Sequence, residues 1–269
     1  MTCTLLISTY NRPDALQRVL QSALKQTHLP DEIVIADDGS GVETRKTIEA
    51  VRKTSPIPLL HAWQPDEDFR AAMARNRALA MSRGDYVVMI DGDMLLHPEF
   101  IHDHLLLARE GTFLQGGRIL LSPEETKKMI ETDNPFPHLF SPGISNRLNA
   151  LRLPILAKLI AQKGSQTLKG IRTCNFSLFR KDILRVNGFD NRFTGWGRED
   201  SEFAARLLHS GLRRRELKFA ALAAHLYHPE VTRRSLAEND KRLQHTLNRR
   251  CTIAVDGVNR FIDPDGGAQ

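Results

Sequence analysis

The chain has 269 residues, 41% of them hydrophobic and 26% charged, which fits a soluble globular protein of one large domain or little more. Cys3, Cys174 and Cys251 are an odd, widely spaced set without a Cys-x-x-Cys, which excludes a disulfide framework or a zinc ribbon and points to a reducing cytoplasm. No run of 18 apolar residues offers a membrane span, and Met1-Thr2-Cys3-Thr4 lacks the basic start of a signal peptide.

The first half reads as alternating strand and helix. Thr4 to Ser8 is a short apolar strand, and Thr9-Tyr10-Asn11-Arg12-Pro13 a turn in which Pro13 can open a helix. Ala15, Leu16, Val19, Leu20, Ala23 and Leu24 then recur at helical spacing. Ile33 to Ala36 is a second strand, ending in Asp37-Asp38-Gly39-Ser40-Gly41, with a helix from Val42 to Arg52 behind it. Leu59 to Trp63 is a third strand, Phe69 to Met81 a helix, and Tyr86 to Ile90 a fourth strand that runs into Asp91-Gly92-Asp93. Pro98 to Ala108 is helical, which places His97, His102 and His104 at a helix surface. Such alternation implies an α/β fold with a mainly parallel sheet covered by helices, and ligands bind beyond the carboxyl ends of such strands.

The second half is less regular. Phe113 to Leu121 is strand-like but interrupted by Gly116-Gly117, residues 133–150 form a long loop, and Lys163 to Gly170 is a flexible segment. Ala150 to Ala161 is apolar with Arg152 and Lys158 interspersed, and reads as a core-packing helix in preference to one lying on a membrane surface. Asn175 to Arg180 is a strand, Lys181 to Val186 a short helix, Glu199 to His209 a helix stopped by Gly211, and Glu216 to Tyr227 a further strand. Ser235 to Arg249 is a polar helix, and Asp263 to Gln269 a disordered tail.

Several clusters carry chemistry. At strand spacing Asp91 and Asp93 face one side, Gly92 lets a bulky group approach, and two carboxylates suit a hard cation such as Mg²⁺ or Mn²⁺. Gly39-x-Gly41 is not a dinucleotide fingerprint, because the third glycine position holds Thr44 and no acid lies near residue 60. No Walker A sequence occurs. Asp37 and Asp38 can instead accept from a base or ribose hydroxyls. Arg70 and Arg77, with Arg75, are placed to grip phosphate oxygens. In Gly195-Trp196-Gly197-Arg198-Glu199-Asp200 the glycines free a loop, Trp196 offers a wall for a sugar ring, and the acids sit at a helix start that stabilises their ionised form. His225 and His228 offer imidazoles to a metal. The net charge of +6, with arginines at Arg213-Arg214-Arg215, Arg233-Arg234 and Arg249-Arg250, suits an anionic membrane face, nucleic acid or phosphorylated substrates. With aromatics at 6% and no stacking motif, no nucleic-acid partner is expected.

Thr9-Tyr10-Asn11-Arg12, Asp37-Asp38-Gly39-Ser40, Arg75-Asn76, Asp91-Gly92-Asp93 and Gly195 to Asp200 stand in the order seen in family 2 glycosyltransferases, which the chain resembles over residues 1–230. Its latter part resembles the galactosyltransferase-type segment of chondroitin-polymerase-like enzymes. The resemblance implies a GT-A fold with a nucleotide-binding half (1–110) and an acceptor-binding half (111–230), followed by a helical extension (231–262). It implies that Thr9, Tyr10, Arg12, Asp37 or Asp38, Arg75, Asp91 and Gly92 line the nucleotide-sugar. Asp93 and His228, with His225 as a further ligand, would hold Mn²⁺ or Mg²⁺. Asp200 would act as base with Glu199 beside it on the acceptor, and Trp196, Gly197 and Asn175 would lie on the acceptor side. The implied partners are a UDP-sugar, a glycan or glycolipid acceptor, and an anionic membrane at the inner face. The rival readings are a sugar nucleotidyltransferase, for which the Gly-rich basic N-terminal loop is missing, and a non-catalytic nucleotide-sugar-binding module.

Overall fold

The computed structural model describes residues 1–229 and 235–262. The expected disordered tail at 263–269 and the Arg233-Arg234 pair lie outside the described residues.

The first half follows the expected alternation: β1 (Cys3–Thr9), α1 (Pro13–Leu24), β2 (Glu32–Asp37), α2 (Val42–Thr54), β3 (Leu59–Trp63), α3 (Ala71–Met81) and β4 (Tyr86–Asp91). The four strands are parallel in the order β4-β1-β2-β3. Their side chains alternate between two cores, as the twofold period of a strand requires. Leu5, Ile7, Ile33, Ile35, Val88 and Ile90 pack with Leu16, Leu20 and Ile48 of α1 and α2. Leu6, Val34, Val87 and Met89 pack on the other face with Ala72, Ala78 and Leu79 of α3. Helix α3 starts at Ala71 rather than Phe69, because Arg70 leaves helical geometry at φ −127° and its amide donates to Asp38 at 2.6 Å.

The remaining elements are β5 (Met94–Leu96), α4 (Phe100–Leu107), β6 (Thr112–Gly116), β7 (Ile119–Leu121), α5 (Pro123–Glu131), β8 (Ile144–Ser145), α6 (Pro154–Ile160), β9 (Asn175–Phe179), α7 (Arg180–Arg185), α8 (Glu199–His209), β10 (Arg213–Leu217), β11 (Ala223–His225) and α9 (Leu236–Arg249), with 3-10 turns at Arg147–Ala150 and Val258–Phe261. Strand β9 joins β4 antiparallel, and β6 and β10 complete a seven-stranded mixed sheet in the order β10-β6-β9-β4-β1-β2-β3. A second sheet, β5-β11-β7-β8, lies beyond the carboxyl end of β4.

Several expectations are corrected here. The strand read over Phe113 to Leu121 is two strands in different sheets, β6 and β7, parted at Gly117-Arg118. Likewise Glu216 to Tyr227 divides into β10 and β11, because Phe219 (φ 64°) and Ala221 (φ 48°) turn the chain between them. The apolar stretch Ala150 to Ala161 is helical only over Pro154–Ile160, and that helix buries Ala157 alone while Ile155, Leu156 and Leu159 are exposed, so it is not a core-packing helix. His104 is fully buried, its ring between Ser177 Oγ (2.8 Å) and Asn175 Oδ1 (3.1 Å), not on a helix surface. Arg214 and Arg215 are buried and donate to backbone carbonyls, Arg215 to Leu107 and Ala161, so this cluster is structural. Among the described residues no helix is long and apolar enough to cross a membrane.

Candidate active site

The carboxyl edge of the main sheet gathers the expected residues. Asp91 ends β4 opposite Ser8 of β1. The chain then turns through Gly92, whose amide donates to Ser8 O at 2.6 Å. A side chain at Gly92 would put its Cβ 2.9 Å from that same oxygen and 3.1 Å from Thr9 Oγ1, so the close approach of β1 and this turn requires glycine.

Asp93 is nearly buried and lies where the two sheets meet. Its Oδ2 accepts from Arg12 Nη1 at 2.8 Å and lies 3.6 Å from His225 Nε2 and 3.5 Å from His228 Nε2. Its Oδ1 is buried and has no hydrogen-bond partner among the described residues. Strand β11 brings His225 opposite Met94, directly after Asp93, and Leu226 N donates to Asp93 O at 2.9 Å. One ligand atom from each of Asp93, His225 and His228 falls within 4.8 Å of the other two. Burial, helped by the charges of Arg118 and His228, lowers His225 to about 3, so its imidazole is neutral and able to ligate. Burial raises the Asp93 carboxyl above its usual range, against the pull of Arg12, His228 and Arg118. An acid and two imidazoles with an open buried oxygen fit a divalent cation.

Beside this cluster stands a second one, centred on Arg75 of α3. This guanidinium is buried, with Nε donating to Ser8 Oγ at 3.1 Å and the ring of Phe189 5.3 Å away. Its two outer nitrogens reach Asp91 (3.4 Å), Glu199 (3.4 Å) and Asp200 (3.3 Å). Burial opposes its charge, but Asp200, Asp91 and Glu199 outweigh burial and hold it firmly protonated. Burial, then the adjacent Asp200, pushes Glu199 up to about 7 despite Arg75. Asp200 accepts at Oδ1 from Thr173 Oγ1 (2.6 Å) and at Oδ2 from Thr173 N (3.1 Å), so its orientation is fixed. Glu199 and Asp200 open α8 after Gly195 (φ 69°), Gly197 (φ 103°) and Arg198 (φ 78°). That left-handed series exposes Trp196 and turns the chain sharply into the helix.

The expected nucleotide residues cluster on the neighbouring strand ends. Thr9 is buried with its Oγ1 unbonded among the described residues, and Tyr10 is exposed with its hydroxyl donating to Asp66 at 3.0 Å. Asp37 is spent on the Ser40 amide (2.8 Å) and His61 (2.8 Å). Asp38 accepts from Gln64 (2.6 Å) and the Arg70 amide (2.6 Å), and burial raises it to about 6. Some expected residues do not reach the site surface. Asn175 is fully buried, its amide donating to Gly117 O (2.9 Å) and Ala221 O (3.0 Å), so it fixes the junction beneath the site rather than lining it. Arg70 turns to Glu67 and Pro65 O, and Arg77 packs over Phe261, so neither joins Arg75.

Ser8, at the end of β1, holds Arg75. Two residues in the site, Thr173 and Arg118, were not singled out from the sequence. Thr173 holds Asp200. Arg118, with Nη1 3.7 Å from Cys174 Sγ, adds its charge to Asp91, Asp93 and His225. Thr173 and Cys174 are there because β9 is antiparallel and presents its amino end at the edge where parallel strands present their carboxyl ends. The signal for Arg118 was Gly116-Gly117 at the end of a strand, a break that brings the next side chain to the sheet edge.

The whole architecture is shared with solved enzymes. It superposes on S. aureus TarS 1–349 in complex with UDP with a TM-score of 0.63 at 17% identity, covering 97% of this chain and 68% of that one. The TM-score is 0.58 at 17% identity with mannosyltransferase PcManGT from Pyrobaculum calidifontis in complex with GDP-Man and Mn2+, over 92% of this chain and 63% of that one. The fold is therefore of the GT-A class, as the motif order implied. The sequence profile of glycosyl transferase family 2 matches residues 4–188, and one described as the N-terminal domain of galactosyltransferase matches residues 158–229. The chain belongs to glycosyltransferase family 2. It is 28% identical over 223 residues to validoxylamine A glucosyltransferase of Streptomyces hygroscopicus subsp. limoneus, covering 78% of this chain and 48% of that protein. It is also 28% identical over 231 residues to hyaluronan synthase of Pasteurella multocida, covering 77% of this chain and 23% of that protein. The chain thus spans half or less of these relatives' length.

Proposed function

We propose that this protein is a metal-dependent, inverting glycosyltransferase that moves a hexose or N-acetylhexosamine from a UDP-sugar to a hydroxyl of a glycan or glycolipid, at the inner face of a membrane. The observation that carries this reading is the pairing of two clusters around Asp91-Gly92-Asp93: an acid–histidine group with an open buried oxygen, and Asp200 held by Thr173 and Arg75. UDP in the TarS complex and Mn2+ in the mannosyltransferase complex support the choice of donor and ion. The half up to residue 110 would carry the nucleotide, the half from 111 to 230 the acceptor, and 231–262 would be an accessory helical extension.

Asp93, His225 and His228 would hold Mn²⁺ or Mg²⁺, which when bound supplies Lewis-acid neutralisation of a diphosphate leaving group. Arg12 and Arg118 would add positive charge on the same side. Thr9, Tyr10 and Asp37 or Asp38 would face the nucleoside, the two acids lying side by side at the end of β2. Asp200 would take the proton of the acceptor hydroxyl as its oxygen bonds to the anomeric carbon and the bond to the diphosphate oxygen breaks. One displacement inverts the configuration there. Glu199 would hydrogen-bond the acceptor, and Trp196 would stack on its ring.

The test is UDP release across a panel of UDP-sugars with Mn²⁺, using glycan acceptors. Asp200→Asn is expected to lower turnover by about 10²–10⁴-fold, the range of general-base catalysis, while UDP still binds. Undiminished turnover in Asp200→Asn would remove the base from its role, and undiminished turnover in EDTA would remove the metal.

A further inference from the structure

The outer face of α6 is dressed in the reverse of the usual manner. Its only buried residue is Ala157, while Ile155 is 80% exposed and Leu159, one turn on, is 57% exposed. Leu153 and Leu156 beside them are exposed as well, and so is Lys158. An exposed apolar cluster on a helix marks a contact surface. Its chemistry is narrowed by charge. Residues 134–181 contain no Asp or Glu and eight Lys or Arg. Within that stretch Lys158 and Lys163 are exposed, and neither has an acidic partner among the described residues. Leu159, Ile160 and Lys163 share a surface groove with Glu216, the one acid there, and Glu216 is paired with Arg214 at 3.2 Å.

We infer that α6 and the segment leading from it to Lys163 form a docking surface for an anionic lipid bilayer, with Ile155, Leu156 and Leu159 entering the headgroup boundary and Lys158 and Lys163 on lipid phosphates. Apolar side chains beside lysines without an acidic partner among the described residues, where the one acid of the groove is already paired with Arg214, are the composition of an interfacial helix. The surface is tied to the candidate active site through the backbone. Asn149, in the 3-10 turn just before α6, donates to Arg118 O at 2.8 Å, and Leu153 N donates to Phe219 O at 2.9 Å. Docking here would hold a lipid-borne acceptor close to the acid cluster. The inference specifies the membrane partner of the proposed function and rests on that reading for its purpose, but its test does not need turnover.

The test is sedimentation of the full chain with vesicles of phosphatidylglycerol and phosphatidylcholine, and with vesicles of phosphatidylcholine alone. Binding is expected to the anionic vesicles only, and to weaken with salt. The pair Ile155→Asp and Leu159→Asp, and separately Lys158→Glu with Lys163→Glu, should each weaken it about tenfold or more. Both pairs should keep the native melting temperature and UDP release, because these side chains are exposed and none of them is bonded to a residue of the candidate site among the described residues. Failure of the native protein to sediment with anionic vesicles overturns the inference, as does equal sedimentation of the Asp pair. A native dimer in light scattering that Ile155→Asp dissolves would assign the face to a second copy instead. Vesicle binding without UDP release would overturn the reaction and leave the surface standing.

Discussion

Arg75 holds three carboxylates together, and the arrangement works only while its charge is present. Asp91, Glu199 and Asp200 arrive from β4 and the start of α8, and each lies 3.3–3.4 Å from the guanidinium. Removing one partner of a buried charge network costs about 3–5 kcal/mol, because the remaining charges are left unpaired. Arg75→Met is therefore expected to lower unfolding free energy by about that amount in urea titrations at neutral pH, and to lose part of the deficit in acid, where carboxyls protonate. A second prediction concerns Glu199. Its carboxyl loses its proton near 4.5 when unfolded and at about 7 in the folded chain. Between those pH values the native state holds a proton that the unfolded state has lost, so raising pH through this window reduces stability. The cost is on the order of 1–3 kcal/mol at full ionisation. Glu199→Gln should flatten the fall in melting temperature between about pH 4.5 and 7. An unchanged slope would mean that Glu199 titrates as an ordinary acid.

At the scale of elements, the Gly195 to Asp200 loop is held by α9. Asn239, buried on that helix, donates to Thr194 O (3.1 Å) and Gly197 O (2.9 Å), and Arg198 reaches Asp240 at 2.5 Å. The helix is itself tied to α8, where Thr246 donates to the buried Glu202 that pairs with Arg206. Asn239→Ala removes both loop bonds and should cost about 1–3 kcal/mol. Under the proposed function it should also raise the acceptor KM several-fold while the UDP-sugar KM stays unchanged, since the nucleotide side is built from other elements. A change in donor KM alone would show that α9 does not act through this loop. Not all of these elements were legible in the sequence. The first four strands were, because each is a short apolar run closed by polar turn residues. Helix α5 also has a signal in the sequence, the Ser122-Pro123-Glu124-Glu125 capping sequence whose Ser122 Oγ accepts from the Glu125 amide at 3.2 Å. The turn separating β10 from β11 had none. It uses Phe219 and Ala221 at positive φ, residue types that do not advertise such a conformation. The strands of the second sheet, two or three residues each, are too short to show a period.

For the whole molecule, the consequence of that second sheet is that one candidate metal site joins parts of the chain far apart in sequence. Asp93 lies in the turn from β4 to β5, while His225 and His228 come at and after β11, more than 130 residues later. The Asp91-Gly92-Asp93 motif was visible in the sequence. The partnership with the histidines came only through the family resemblance, because its physical basis is the β5–β11 pairing of His225 with Met94. A ligand that binds such a closure binds the folded chain alone, since the unfolded chain does not bring the three groups together. Its binding is therefore folding stability, about 2.7 kcal/mol at a hundredfold excess over the dissociation constant. Mn²⁺ added to the metal-stripped protein, with no nucleotide present, is expected to raise the melting temperature in a concentration-dependent way. Asp93→Asn and His225→Ala should each abolish most of that rise. His61→Ala should preserve it, because His61 is bonded to Asp37, outside the Asp93 cluster. If Mn²⁺ raised all of these variants equally, the ion would bind elsewhere, and the Asp93 turn would be tied to the end of β11 by the Leu226 amide and to the turn after β1 by Arg12.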